Sequence, residues 1–78
     1  MKDLIEFIAT SLVEEPEKVQ VIQEGNNSRP HLKLRVAKND MGRVIGKDGR
    51  IANSIRILLR VAAARVGKQA TLDVIEPQ

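Results

Sequence analysis

Seventy-eight residues, 42% of them hydrophobic and none of them cysteine, suffice for one small domain over residues 1–78 and exclude a second fold, a disulfide framework and a thiolate zinc site. The longest apolar run, Val61–Ala64, is far shorter than the roughly 20 residues of a membrane span, and Asp3 and Glu6 interrupt any leader-like start, so a soluble cytoplasmic chain with no membrane attachment is expected. The net charge of +3 is unevenly spread: residues 1–28 carry −4 and 71–78 carry −2, whereas 29–70 hold eleven basic residues against Asp40 and Asp48, a net of +9 that suits a polyanion partner.

In chain order, Leu4, Ile5, Phe7, Ile8 and Leu12 recur at helical spacing, and Pro16 predicts that this amphipathic helix ends by about Glu15. Lys18 to Glu24, with Val19 and Val21 in alternation, reads as a short strand closed by the turn cluster Gly25-Asn26-Asn27-Ser28. After Pro30 the alternation sharpens. Leu32, Leu34 and Val36 face one way and His31, Lys33 and Arg35 the other, which predicts a strand with one buried and one wet face, paired with its predecessor as a hairpin.

Asn39 or Asp40 can cap a short helix over Met41–Ile45. Gly46-Lys47-Asp48-Gly49 then reads as a loop, and Arg50–Val66 as a long helix ended by Gly67, with Ile51, Ile55, Leu58, Leu59, Ala62 and Val66 expected to form its core face. Ala70–Glu76 completes the chain as a strand. The expected fold class is α+β in the order α-β-β-α-α-β, with a three-stranded mixed sheet and all helices on one face, the last two strands being joined by a parallel crossover.

The candidate site is the glycine loop. Its two glycines let the backbone turn tightly and a ligand come close. Free amides at Asp48–Asn53 and the positive end of the following helix would attract phosphate, with Lys47, Arg50 and Arg43 adding charge. A Walker A loop is excluded because only three residues stand between Gly42 and Gly46, where it needs four, and Lys47 is followed by Asp48 rather than a hydroxyl residue; a dinucleotide fingerprint fails at Val44, where it needs glycine. The alternative for the same loop is a helix-turn-helix corner that uses glycine only for its geometry. Phe7 is the one aromatic residue, so recognition by several stacked rings is excluded as well.

Val44-Ile45-Gly46-Lys47-Asp48-Gly49-Arg50-Ile51 resembles the I-G-x-x-G-x-x-I signature of KH domains, and the element order resembles their type II arrangement. The resemblance spans essentially the whole chain, which looks like the small stand-alone bacterial KH proteins of the KhpA (YlqC) type. It implies a groove for about four nucleotides of single-stranded RNA, or single-stranded DNA, with broad sequence tolerance and a role as RNA chaperone or post-transcriptional regulator without cofactor. By the same resemblance Gly46, Lys47, Asp48 and Gly49 grip the backbone and Val44, Ile45 and Ile51 border the apolar side of the groove. Asp48 departs from the basic or neutral loops of many KH domains and would either weaken phosphate affinity or cap the helix at Arg50.

A second apolar stripe, Ile57, Val61 and Ala64, lies about half a turn from the expected core face of the long helix. Either the N-terminal helix covers it or it is a self-association surface. Resemblance to the small KH proteins implies the latter, as a homodimer or a heteromer with a larger KH protein of the Jag type. Catalysis is not expected: His31 lies on the polar face of a strand, Ser11, Ser28 and Ser54 form no constellation with it, and Glu14, Glu15 and Glu17 lack metal-ligand spacing. A protein-interaction adaptor and a nucleic-acid-processing enzyme are the rival classes.

Overall fold

Strict alternation gives Pro30–Arg35 one core face, and pairing on both sides makes it the central strand of the sheet. In the computed structural model, which describes residues 1–75 and, of Lys47 and Asp48, the backbone alone, the chain runs α1 (Lys2–Leu12), one 3-10 turn (Pro16–Lys18), β1 (Gln20–Gly25), β2 (Pro30–Arg35), α2 (Lys38–Arg65) and β3 (Thr71–Ile75). The sheet order is β1-β2-β3; β1 pairs antiparallel with β2, Val21 opposite Leu34, and β3 pairs parallel with β2, Leu72 opposite Leu32. This is the mixed α+β sheet expected from the sequence.

One face of the sheet carries Val21, Leu32, Leu34 and Leu72, which pack with Ile5 and Ala9 of α1 and with Val44, Ala52, Ile55, Leu59 and Ala63 of α2. Burial of this apolar surface supplies the main drive to fold. The opposite face is polar. There Lys33 Nζ lies 2.9 Å from Glu24 Oε1, and Arg35 Nη1 donates to Gln20 Oε1 at 2.9 Å. On the same face His31 reaches Asp73 at 3.3 Å and Thr71 at 2.5 Å, cross-strand contacts that tie β2 to β3. The hairpin turn is closed by Asn26, whose Oδ1 accepts the amides of Ser28 (3.0 Å) and Arg29 (2.8 Å).

Helix α1 stops at Leu12, within the limit of about Glu15 that Pro16 sets, and amides beyond it are taken by a carboxylate from another element: Glu14 N–H donates to Asp40 Oδ1 at 3.0 Å and Glu15 N–H to Asp40 Oδ2 at 3.1 Å. Three other local expectations change. Asp40 is thereby diverted from the capping role expected of it, and α2 starts after Ala37 with no side-chain cap. The expected pair of helices and the loop between them form one helical span, in which Gly49, at φ +71°, is the residue that leaves the right-handed path. Finally, the core stripe of the long helix is Ala52, Ile55, Leu59 and Ala63, displaced from the expected one; Leu58 and Val66 point outward. A single sheet face beneath α2 accommodates a narrow stripe, so the outer apolar positions remain uncovered.

The C-terminal end of α2 is tied off by Lys68 N–H to Ala63 C=O at 2.8 Å and Gly67 N–H to Ala64 C=O at 3.1 Å, which turn the chain into β3. Glu76, the last residue of the expected third strand, lies outside the described residues.

Candidate nucleic-acid interface

Two glycines three residues apart meet different structural demands. At Gly49 the left-handed backbone would cost a residue with a Cβ about 1–2 kcal/mol, so the turn itself calls for glycine. At Gly46 no such demand exists: its φ is ordinary and a Cβ there would meet nothing within 4 Å. Glycine inside a helix costs about 1 kcal/mol relative to alanine. Gly46 is thus unfavourable to the helix, unneeded by its surroundings, and leaves the main chain open to close approach. Gly42, one turn earlier, is open in the same way.

The amides of Asp48–Asn53 lie within the helical span and not at a separate N-terminus. Within that span Gly49 has a φ of +71°. Lys47 and Asp48 stand between the two glycines, and their side chains lie outside the described ones.

The flanking residues divide by burial. Val44 is 2% exposed and belongs to the core, so it supports the surface from below and does not line it; Ile51 is half-buried against the same core. Ile45 is 47% exposed and gives the site an apolar edge. Arg50 is exposed, and its carbonyl accepts the Ser54 hydroxyl at 2.8 Å. Arg43 is engaged within the protein: Nη2 lies 2.6 Å from Glu14 Oε1, and Nε 3.7 Å from Asp40 Oδ1.

Sequence reading missed the tertiary contacts of three residues. Asp40, 1% exposed, joins the segment after α1 to the first turns of α2 and holds Arg43 beside it. Asn53 and Arg56 occupy the α2 face above the edge strand β3, where Arg56 donates Nε to the Leu72 carbonyl at 3.0 Å and Nη1 to Asn53 Oδ1 at 2.9 Å. The i, i+3 spacing of Asn53 and Arg56 was visible as a helical pair, but the strand they overlook was not.

The apolar residues Ile57 and Val61 are 59% and 50% exposed, and Ala64 is exposed as well, so α1 does not cover this stripe. Leu58 and Val66 extend it.

The family model described as "KhpA/KhpB, KH domain" matches residues 2–74. The chain belongs to this KH-domain family. It is 45% identical over 75 residues to the RNA-binding protein KhpA of Clostridium acetobutylicum, covering 96% of this chain and 100% of that one. It is 36% identical over 76 residues to KhpA of Aquifex aeolicus, covering 97% and 96% of the two chains. Among solved structures, Era of Aquifex aeolicus bound to GDP and aluminium fluoride is similar with a TM-score of 0.58 at 19% identity, and Era in complex with MgGDPNP and nucleotides 1506–1542 of 16S ribosomal RNA with 0.59 at 19%. This KH chain matches over 96% of its own length and spans 29% of each Era chain, a likeness of fold. No helix among the described residues is long and apolar enough to cross a membrane.

Proposed function

We propose that this protein is a single-stranded RNA-binding module of the cytoplasm that grips about four nucleotides at Gly46-Lys47-Asp48-Gly49, with Arg43, Ile45, Arg50 and Ile51 around the backbone grip, and acts as an RNA chaperone or post-transcriptional regulator. The observation that carries this reading is Gly46, a glycine that its own helix disfavours and no neighbour requires, beside the left-handed turn at Gly49. Its relatives are named RNA-binding proteins, and the +9 charge of residues 29–70 provides attraction for a polyanion. The bare main chain at Gly46 would let a phosphate come close, and main-chain groups present nearly the same pattern at every residue, so most of the groove tolerates any base.

The outward stripe Ile57, Val61 and Ala64 serves, in the same reading, for assembly with a second copy of the chain, a Jag-type KH protein being the alternative partner. Two grooves on one particle would raise avidity without new contacts to RNA.

The test is fluorescence anisotropy of labelled single-stranded RNA titrated with protein across a range of salt. One groove neutralising about three phosphates predicts a Kd of roughly 10⁻⁴ to 10⁻⁶ M and a log-log salt slope near −2. Lys47→Asp, which makes both inner residues acidic, should abolish the signal and leave the circular dichroism spectrum unchanged. A slope near zero, or full binding by the variant, overturns the assignment. Shortened RNA would identify a processing enzyme, and no signal at low salt would identify a protein-interaction adaptor.

A further inference from the structure

From Gly49 to Leu72 the chain carries five cations, Arg50, Arg56, Arg60, Arg65 and Lys68, and no carboxylate. The last two stand at the far end of α2 from the glycine site, Arg65 lying 16 residues beyond Gly49, or about 24 Å along a helix. One hydrogen bond joins that end to the β1–β2 turn: Gln69 N–H donates to the Ser28 carbonyl at 3.0 Å. Arg29, the next residue of the turn, thus comes beside the segment that carries Lys68.

Arg29 sits on a fixed main chain. Its amide donates to Asn26 Oδ1 at 2.8 Å, and Pro30 after it is fully buried. Gly25 passes so close that a Cβ there would lie 2.6 Å from the Arg29 carbonyl. Arg29 and Arg65 are exposed and Lys68 is half-buried, and among the described residues none of the three makes an ion pair. Carboxylates of the adjoining strands are engaged elsewhere, Glu24 with Lys33 at 2.9 Å and Asp73 with His31 at 3.3 Å.

A cation at a helix C-terminus complements the dipole there, which suffices for Arg65. It does not account for the other two. The last carbonyls of α2 are already taken by main-chain amides, Lys68 N–H to Ala63 C=O at 2.8 Å and Gly67 N–H to Ala64 C=O at 3.1 Å, and Arg29 belongs to no helix. Cations gathered on a fixed surface without carboxylates attract a polyanion.

We propose that Arg29, Arg65 and Lys68 form a second phosphate-binding surface, which holds the backbone of the same RNA strand after it has left the glycine site. The inference rests on the RNA-binding reading above and lengthens the footprint on the RNA. A strand stacked at about 3.4 Å per nucleotide needs about seven more nucleotides to span the 24 Å, so RNA of about twelve nucleotides reaches both places.

The experiment measures anisotropy against salt for labelled uridine RNAs of four and twelve nucleotides. Each phosphate neutralised on a single strand contributes about −0.7 to the log-log slope, so two further contacts should take the wild-type slope from near −2 on the short RNA to about −3.5 on the long one. Arg29→Ser together with Lys68→Ser should return the long RNA to near −2 and leave the short RNA unchanged, with folding checked by thermal melting. Lys2→Ser together with Lys18→Ser removes the same charge from other exposed positions and should keep the steeper slope. Were the extra slope due to a second groove on a dimer, the Arg29 and Lys68 changes would not lower it. A long-RNA slope that is the same in that variant as in wild type, or lowered as much by the Lys2 and Lys18 changes, overturns the proposal. Absence of binding to either RNA at low salt overturns the RNA-binding reading itself.

Discussion

The carboxylate of Asp40 accepts the main-chain amide of Glu14 across 26 positions of sequence, at 3.0 Å and with Asp40 only 1% exposed. Its other oxygen holds the amide of Glu15 at 3.1 Å, so a single side chain stops α1 and sets the position of α2 relative to it. Asp40→Ala would leave two partly buried amides without acceptors, and a destabilisation of about 2–4 kcal/mol is expected. Asp40→Asn, which keeps one carbonyl oxygen, should lose about half as much. Urea denaturation with unchanged m-values would measure both, and an Asp40→Ala midpoint equal to that of wild type would refute the anchoring role.

Glu14 competes with any phosphate for Arg43. Their 2.6 Å ion pair is solvent-exposed on both sides, so Glu14→Gln should change stability by less than about 1 kcal/mol. Releasing the guanidinium and removing one negative charge should tighten RNA binding about two- to threefold at low salt, and the gain should shrink as salt rises. Anisotropy titrations at two salt concentrations would test this; weaker binding by the variant would mean that Arg43 serves the fold alone.

Opposite stability effects are expected for the two signature glycines. Gly46→Ala should stabilise the chain by up to about 1 kcal/mol, because the helix gains and nothing lies within 4 Å of the new methyl group. Gly49→Ala should destabilise it by about 1–2 kcal/mol through its φ of +71°. The Gly46 substitution should nonetheless weaken RNA binding. Thermal melts paired with binding curves would separate the effects, and a Gly46→Ala chain that binds RNA as well as wild type would remove the main support for the backbone grip.

Placing a charge on the outer stripe is expected to separate protomers without unfolding them. Val61 is 50% exposed, so Val61→Glu should cost the isolated fold under about 1 kcal/mol. Multi-angle light scattering should then report the mass of one chain for the variant and of two for wild type. A wild-type mass of one chain would leave the stripe without a self-association role.

Sequence pattern alone determined the strand with the strictest alternation. Leu32 and Leu34 are buried and His31, Lys33 and Arg35 lie on the polar face as their two-residue period demands, because in a strand the side of each residue depends on its neighbours only. The glycine-rich signature and the basic middle of the chain were legible for the same reason, being local in composition and spacing. What the helices bury was less so: the core stripe of α2 fell on Ala52, Ile55, Leu59 and Ala63, and Leu58 and Val66, larger apolar residues than its two alanines, were left outside. With apolar residues on several sides of a helix, periodicity does not say which side meets the sheet. The end of α1, the work of Asp40 and the pinning of Arg56 on Leu72 were decided by tertiary structure, since each depends on a donor and an acceptor brought together from distant positions, and a hydrogen bond between such partners leaves no periodic trace in either segment.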